Sequence, residues 1–202
     1  MLTKPTKVNI NGIDFKFNTD FRIAIKCNDL IMDNSIGDME RTMAIIYLLY
    51  GDLGLEHLEL TNELIDNAIW FISCGKTQEE LEQTKGKREE ADMDYTQDMD
   101  YIEASFLSDY GIDLEHTKMH WWKFYNLING LSNSEMGNCC ILNRIRNIRN
   151  YNLNDIKDPK EKQKMREAKE MFKLKKRDNK KELTEEQQHN IQEFYKLIGK
   201  GE

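Results

Sequence analysis

Apolar and polar residues alternate through Val8-Asn-Ile-Asn-Gly-Ile-Asp-Phe-Lys-Phe17, around the pair Asn11-Gly12. Asn-Gly is the preferred pair for a two-residue type I′ turn, so the segment predicts a β-hairpin. With Ile10 opposite Ile13 and Val8 opposite Phe15, four apolar side chains share one face. A lone hairpin is marginal in water, so that face must pack on the helices next in the chain.

The period then changes to a helical one. Phe21, Ala24, Ile25 and Leu30-Ile31 predict a first helix with Thr19 as its N-cap, and Asp38 to Tyr50 a second, apolar and central, stopped by Gly51. Thr61 to Cys74 predict a third, with Leu64, Ile65, Ala68, Ile69 and Ile72 inward and Gly75 as the stop. Residues 1–75 thus form a hairpin-plus-helices unit. Residues 76–93 have almost no apolar periodicity and read as a charged, mobile connector.

Most of the large aromatics lie beyond this connector. Tyr95, Met99, Ile102, Phe106 and Tyr110 fall on one stripe of a 100° wheel, and Trp121, Phe124, Tyr125, Ile128 and Leu131 on another. Gly111 and Gly130 stand where a left-handed residue would close each helix. The two stripes predict a helical hairpin, and a further helix from about Ser134 to Asn150, with Ile141, Ile145 and Ile148 on one side, completes residues 94–151. Residues 152–202 predict two charged helices. Asp158-Pro159-Lys160-Glu161 places Asp at the N-cap, Pro at N1 and Glu at N3 of a helix running to about Arg177, with a thin stripe of Met165, Ala168 and Phe172. Thr184 and Gln187 form the capping box of the last helix, which ends near Ile198 and turns Ile191, Phe194, Tyr195 and Ile198 inward. The fold class expected is α+β and mostly α-helical: an N-terminal β-hairpin packed on helices, then a helical bundle and a C-terminal helical extension.

Charge complicates this pattern. The net charge is −7, yet Lys76 to Asp109 hold eleven acids against four bases, whereas Ile141 to Glu182 hold fifteen bases against seven acids. Such polarity fits self-association of unlike ends, a charged partner, or two solvated surfaces. The longest apolar run, Met43 to Tyr50, is far too short to span a bilayer, and the N-terminus carries no hydrophobic signal region. The expected location is the cytoplasm of a bacterial host. Cys27, Cys74, Cys139 and Cys140 lack C-x-x-C spacing and read as reduced thiols.

No catalytic signature emerges, and neither a cofactor nor a metal is expected. Asp92, Asp94, Thr96, Asp98, Asp100 and Glu103 match the ligand positions of a calcium loop, but Gln97 stands where the loop needs Gly, so a solvated acidic helix face is the preferred reading. His116 and His120 could share a zinc from one helix face, but no third ligand is apparent. Cys139 has no visible base beside it. The basic tract Lys157 to Lys181 mixes in Glu161, Glu167 and Glu170 and has one aromatic, Phe172, which disfavours nucleic acid. Trp122 lies about 100° from Trp121, off the core stripe and beside Asn126. Aromatic anchors of this kind are enriched in interfaces, so Trp122, Asn126, Phe172, Phe194 and Tyr195 are the expected partner-binding residues.

The run Asp94-Tyr95, Asp98, Tyr101-Ile102, Ala104-Ser105-Phe106, Tyr110-Gly111-Ile112-Asp113-Leu114, then Met119-His120-Trp121-Trp122, Phe124 and Gly130-Leu131, resembles a small phage family, the bacteriophage gene-product fifteen proteins. The resemblance covers residues 90 to 150 best, the N-terminal third more loosely, and fades in the last fifty. Members occur in siphophages and prophages of Gram-positive bacteria, encoded just upstream of the tail tape-measure gene. The resemblance therefore implies a non-enzymatic tail-assembly chaperone. It implies the tape-measure protein as partner, with the tail-tube protein and a second copy of the chain as further candidates, and absence from the mature virion. The alternatives are a structural tail component retained in the virion and, from another class, a metal-dependent enzyme.

Overall fold

The hairpin forms in the expected register. Strands β1 (Lys7–Ile10) and β2 (Ile13–Lys16) pair Ile10 with Ile13 and Val8 with Phe15, and Asn11 and Gly12 both take positive φ, 50° and 87°, as a type I′ turn requires. The structure is a computed structural model that describes residues 3–77, 79–80, 91–133 and 139–175. Among these residues eight α-helices succeed the hairpin: α1 (Phe21–Met32), α2 (Asp38–Tyr50), α3 (Asp52–Glu56), α4 (Thr61–Ile72), α5 (Met99–Tyr110), α6 (Trp121–Asn129), α7 (Ile141–Asn150) and α8 (Pro159–Met171). The fold is α+β and mostly helical.

One core joins the hairpin to the aromatic helices. Phe17 of the hairpin stacks on Phe71 of α4 at 4.4 Å between ring centroids. Phe124 of α6 lies between Phe21 of α1 and Phe106 of α5, at 4.5 and 5.2 Å. The buried cluster extends to Leu142 of α7, so segments 1–75 and 94–151 bury their apolar faces against each other.

Helices α1 and α6 begin at a shared backbone bridge. Phe21 N–H donates to the Met119 carbonyl at 3.0 Å and Trp121 N–H to the Thr19 carbonyl at 2.8 Å. This bridge corrects the expected cap: Asp20, not Thr19, caps α1 by accepting from Arg22 N–H at 2.9 Å. His120 caps α6, its Nδ1 accepting from Trp122 N–H at 3.1 Å while Nε2 bonds the Pro5 carbonyl at 2.9 Å. The hydrogen on Nε2 and the lone pair on Nδ1 fix the neutral tautomer.

Several boundaries differ from the pattern. Helix α5 starts at Met99 rather than Asp94, because the Asp94 carboxylate accepts from the N–H groups of Thr96 and Gln97 and folds residues 95–98 into a turn. Asp98 ends that turn buried against Arg149, and Asp92 pairs with Arg146, so these acids do not form a solvated helix face. The acidic and basic regions meet within one chain. The aromatic helices also do not run as a simple hairpin: α5 lies closest to α7, and α6 to α1. Their connection is held by Arg22, whose guanidinium donates to the carbonyls of Leu114, Glu115 and Thr117.

Gly111 closes α5 with φ 64°, as expected, but Gly130 has φ −93° and is not left-handed. A Cβ at Gly130 would lie 3.0 Å from the Tyr110 hydroxyl, so close approach, rather than backbone handedness, is what glycine provides there. Helix α7 begins at Ile141, after a bridge between Asn133 and Cys139; residues 134–138 of the expected helix lie outside the described residues. Leu142 and Asn143 are buried on α7 with Ile145, while Ile141 and Ile148 are half-buried. Helix α8 has the expected Asp158 cap, which accepts from Lys160 N–H and Glu161 N–H, and Pro159 at its first position, but it ends at Met171. No residue of α8 is buried, as its thin stripe implies. The predicted helix from Thr184 to Ile198, and most of the connector, lie outside the described residues.

Candidate functional site

Helix α4 holds the clue to the site. Its wheel places Leu64, Ile65, Ala68, Ile69 and Ile72 inward, but only Leu64, Ala68 and Ile72 are buried, with Phe71 added. Ile65 and Ile69 stand half-buried one turn apart and line an open groove. The C-terminal end of α1 (Ile31, Met32) and the first half of α2 (Arg41, Ile45) form its other side, and Tyr95, Trp121 and Tyr125 close its end. The groove measures about 640 Å³, within the roughly 300–1,000 Å³ typical of ligand-sized clefts.

Its aromatic end is rigid and its lip is adaptable. Trp121 is 1% exposed and its indole N–H donates to the Ile72 carbonyl at 2.8 Å, while Tyr95 meets the Trp121 ring edge-on at 5.6 Å between centroids. Burial pushes the Tyr95 hydroxyl well above its ordinary range, so it stays a neutral donor. Ile31 and Met32 are exposed at the lip, and Met32 supplies an unbranched side chain that can adapt to a varied partner surface.

Two cations, Arg41 and Lys76, and one carboxylate, Asp38, line the groove, which leaves one positive charge in excess. Arg41 is fixed by the carbonyls of Leu30, Asp33 and Ile36 and by Asp38, at 2.7 to 3.0 Å, and thereby clamps the turn between α1 and α2. Lys76 Nζ donates to the Tyr125 hydroxyl at 3.2 Å. The groove can therefore take an apolar face with acidic flanks. Among the described residues that line it, no nucleophile stands beside a base.

Of the residues expected to bind a partner, Trp122 and Asn126 lie one turn apart on α6, and Phe172 stands apart from them at the end of α8. Trp122 is half-buried, its indole N–H donating to the Phe71 carbonyl at 2.9 Å and its ring meeting Trp70 edge-on at 5.3 Å. Asn126 is exposed on α6. Phe172 caps the end of α8 and meets Tyr101 of α5 edge-on. Phe194 and Tyr195 lie outside the described residues. Neither Trp122 nor Phe172 lines the groove.

The other candidates also find structural partners. His120 is committed to its helix cap, and burial lowers its pKa. His116 bonds Asp113 at 2.9 Å and, rather than meeting His120, comes within 4.8 Å of ligand atoms on Asp113 and Glu115, all exposed. Burial pushes the thiols of Cys27 and Cys74 up to about 12, which leaves both protonated. No helix among the described residues is long and apolar enough to cross a membrane.

Against known proteins, residues 2–174 match the family model described as Bacteriophage Gp15 protein. The match takes in the hairpin, all eight helices and the whole groove. It reaches further at both ends than the signature of residues 90 to 150. Neither the curated proteins nor the solved structures include a match.

Proposed function

Because the chain belongs to the bacteriophage Gp15 family, we propose that it is a tail-assembly chaperone that binds the tape-measure protein. The observation that carries this reading is the groove between α1, α2 and α4, with its rigid aromatic end and its half-buried Ile65 and Ile69. Long apolar helices have no soluble partner until the tail tube closes around them. A groove of this kind accepts the apolar face of such a helix through residues spaced i, i+3, i+4 and i+7. The single positive charge that Arg41 and Lys76 leave in excess of Asp38 favours segments whose flanks are acidic.

The proposed cycle is reversible binding in the cytoplasm of a Gram-positive host, recruitment of tail-tube subunits, and displacement as the tube polymerises. Nothing in it requires catalysis. Co-expression with the tape-measure protein encoded beside it tests the proposal. The chaperone should carry the tape-measure protein into the soluble fraction and co-purify with it, and mass spectrometry of finished particles should not find the chaperone. An insoluble tape-measure protein in both conditions would contradict the reading. Stoichiometric recovery of the chain from virions would favour a structural tail component instead.

A further inference from the structure

The last described residue is held by the turn that carries Tyr95, a residue of the groove. Lys175 is held at both backbone groups by one side chain: its N–H donates to Gln97 Oε1 at 2.8 Å and its carbonyl accepts from Gln97 Nε2 at 3.1 Å. Gln97 belongs to the turn that carries Tyr95, a groove residue. The neighbouring Thr96 hydroxyl donates to Asp29 of α1 at 2.6 Å, one residue from Asn28 on the groove wall. The chain therefore continues from beside that turn, in a neighbouring cleft that Gln97 and Lys175 line with Tyr101 and Arg149.

The sequence beyond Lys175 has the chemistry of an occupant. Ile191, Phe194, Tyr195 and Ile198 are spaced i, i+3, i+4 and i+7, the spacing with which a helix anchors itself in a groove. Glu185, Glu186 and Glu193, against Lys196 alone, give residues 184–198 a negative charge opposite to the single positive excess of Arg41 and Lys76 over Asp38 in the groove. Residues 176–183 separate Lys175 from Thr184, a length of chain that can span about 26 Å when extended. The segment also lies beyond residue 174, where the family match ends.

We infer that residues 184–198 dock in the groove of their own chain through Ile191, Phe194, Tyr195 and Ile198, and compete there with a partner helix. The docking stands on the geometry of Lys175 and the groove; the competition rests also on the chaperone reading. A groove covered in cis about 90% of the time binds an external helix about tenfold more weakly than an open one.

Two measurements on the full chain separate these statements. With photo-reactive p-benzoylphenylalanine in place of Phe194, irradiation of the protein alone should give a product of monomer mass, cross-linked to the α4 stretch around Ile65 and Ile69 or to Tyr125. The additional substitution Ile69→Glu should abolish that product. Cross-links elsewhere, only between copies, or none at all would overturn the docking. Separately, Phe194→Asp with Ile198→Asp should bind a tape-measure fragment roughly tenfold more tightly than the unaltered chain, and equal affinity would overturn the competition. If neither version binds the fragment while the cross-link to the groove is present, the chaperone reading fails and the docking stands.

Discussion

Arg149 grips the Asp98 carboxylate at both oxygens, Nη1 to Oδ2 and Nη2 to Oδ1 at 2.7 Å each, with the Asp98 side chain 1% exposed and that of Arg149 10%. The same guanidinium donates through Nη1 to the Asp92 carbonyl at 2.8 Å and through Nε to the Phe172 carbonyl at 2.6 Å. One side chain thus ties the turn before α5, α7 and the end of α8. Removing one partner of such a buried pair strands a charge, which costs about 3–5 kcal/mol.

Arg149→Leu should therefore lower the unfolding free energy by about 3–5 kcal/mol in urea titration. Arg146→Leu, whose ion pair with Asp92 is about a third exposed, should cost under about 1 kcal/mol. Equal losses would show that the Asp98 pair is not buried as described.

The two adjacent tryptophans give a second test. Trp121→Ala should cost about 3–5 kcal/mol, as truncation of a fully buried aromatic. Trp122→Ala should cost about 1.5–2.5 kcal/mol, because its hydrogen bond to Phe71 and its contact with Trp70 contribute roughly 1 kcal/mol each. A negligible loss at Trp122 would mean that the ring does not sit on α4.

His120 makes stability depend on pH. Burial, with Lys4 nearby, lowers its folded pKa below the unfolded value of about 6.5. Its contribution is fully present above about 6.5 and is lost as the pH falls through the lower folded value. His116 acts with the opposite sign, because Asp113 raises its pKa, so the comparison is best made in a His116→Gln background. Between pH 6.5 and 5 the melting temperature should fall more steeply with His120 than with His120→Asn, which keeps a capping oxygen but does not titrate. Parallel slopes would refute the neutral cap.

The elements legible in the sequence were those specified by near neighbours. Alternation around Asn11-Gly12 gave the hairpin and its register, Gly51 bounded α2, and Asp158-Pro159 started α8. What stayed hidden depends on partners far along the chain. Asp98 is buried because Arg149, fifty-one residues away, reaches it. Asp20 takes the capping role from Thr19 because the backbone bridge to Met119 and Trp121 sets the start of α1 at Phe21. The groove was hidden for a related reason. A wheel places Ile65 and Ile69 on the apolar face with Leu64 and Ala68, but whether the edge of that face is covered depends on how far α1 and α2 diverge from α4. His120 is not legible as a cap from sequence because histidine is not among the usual capping residues.

The groove itself is tested most directly by co-purification of the tape-measure protein with three versions of the chain: unaltered, Ile65→Glu with Ile69→Glu, and Leu107→Glu. Leu107 is 59% exposed on α5 and away from the groove, so it controls for added surface charge. Circular dichroism and cooperative melting establish that all three are folded. The unaltered chain and Leu107→Glu should retain the tape-measure protein, and the groove variant should lose at least about tenfold of it, as expected when central apolar anchors are replaced by charge. Retention by the folded groove variant equal to that of the unaltered chain would contradict the assignment of this groove as the binding site.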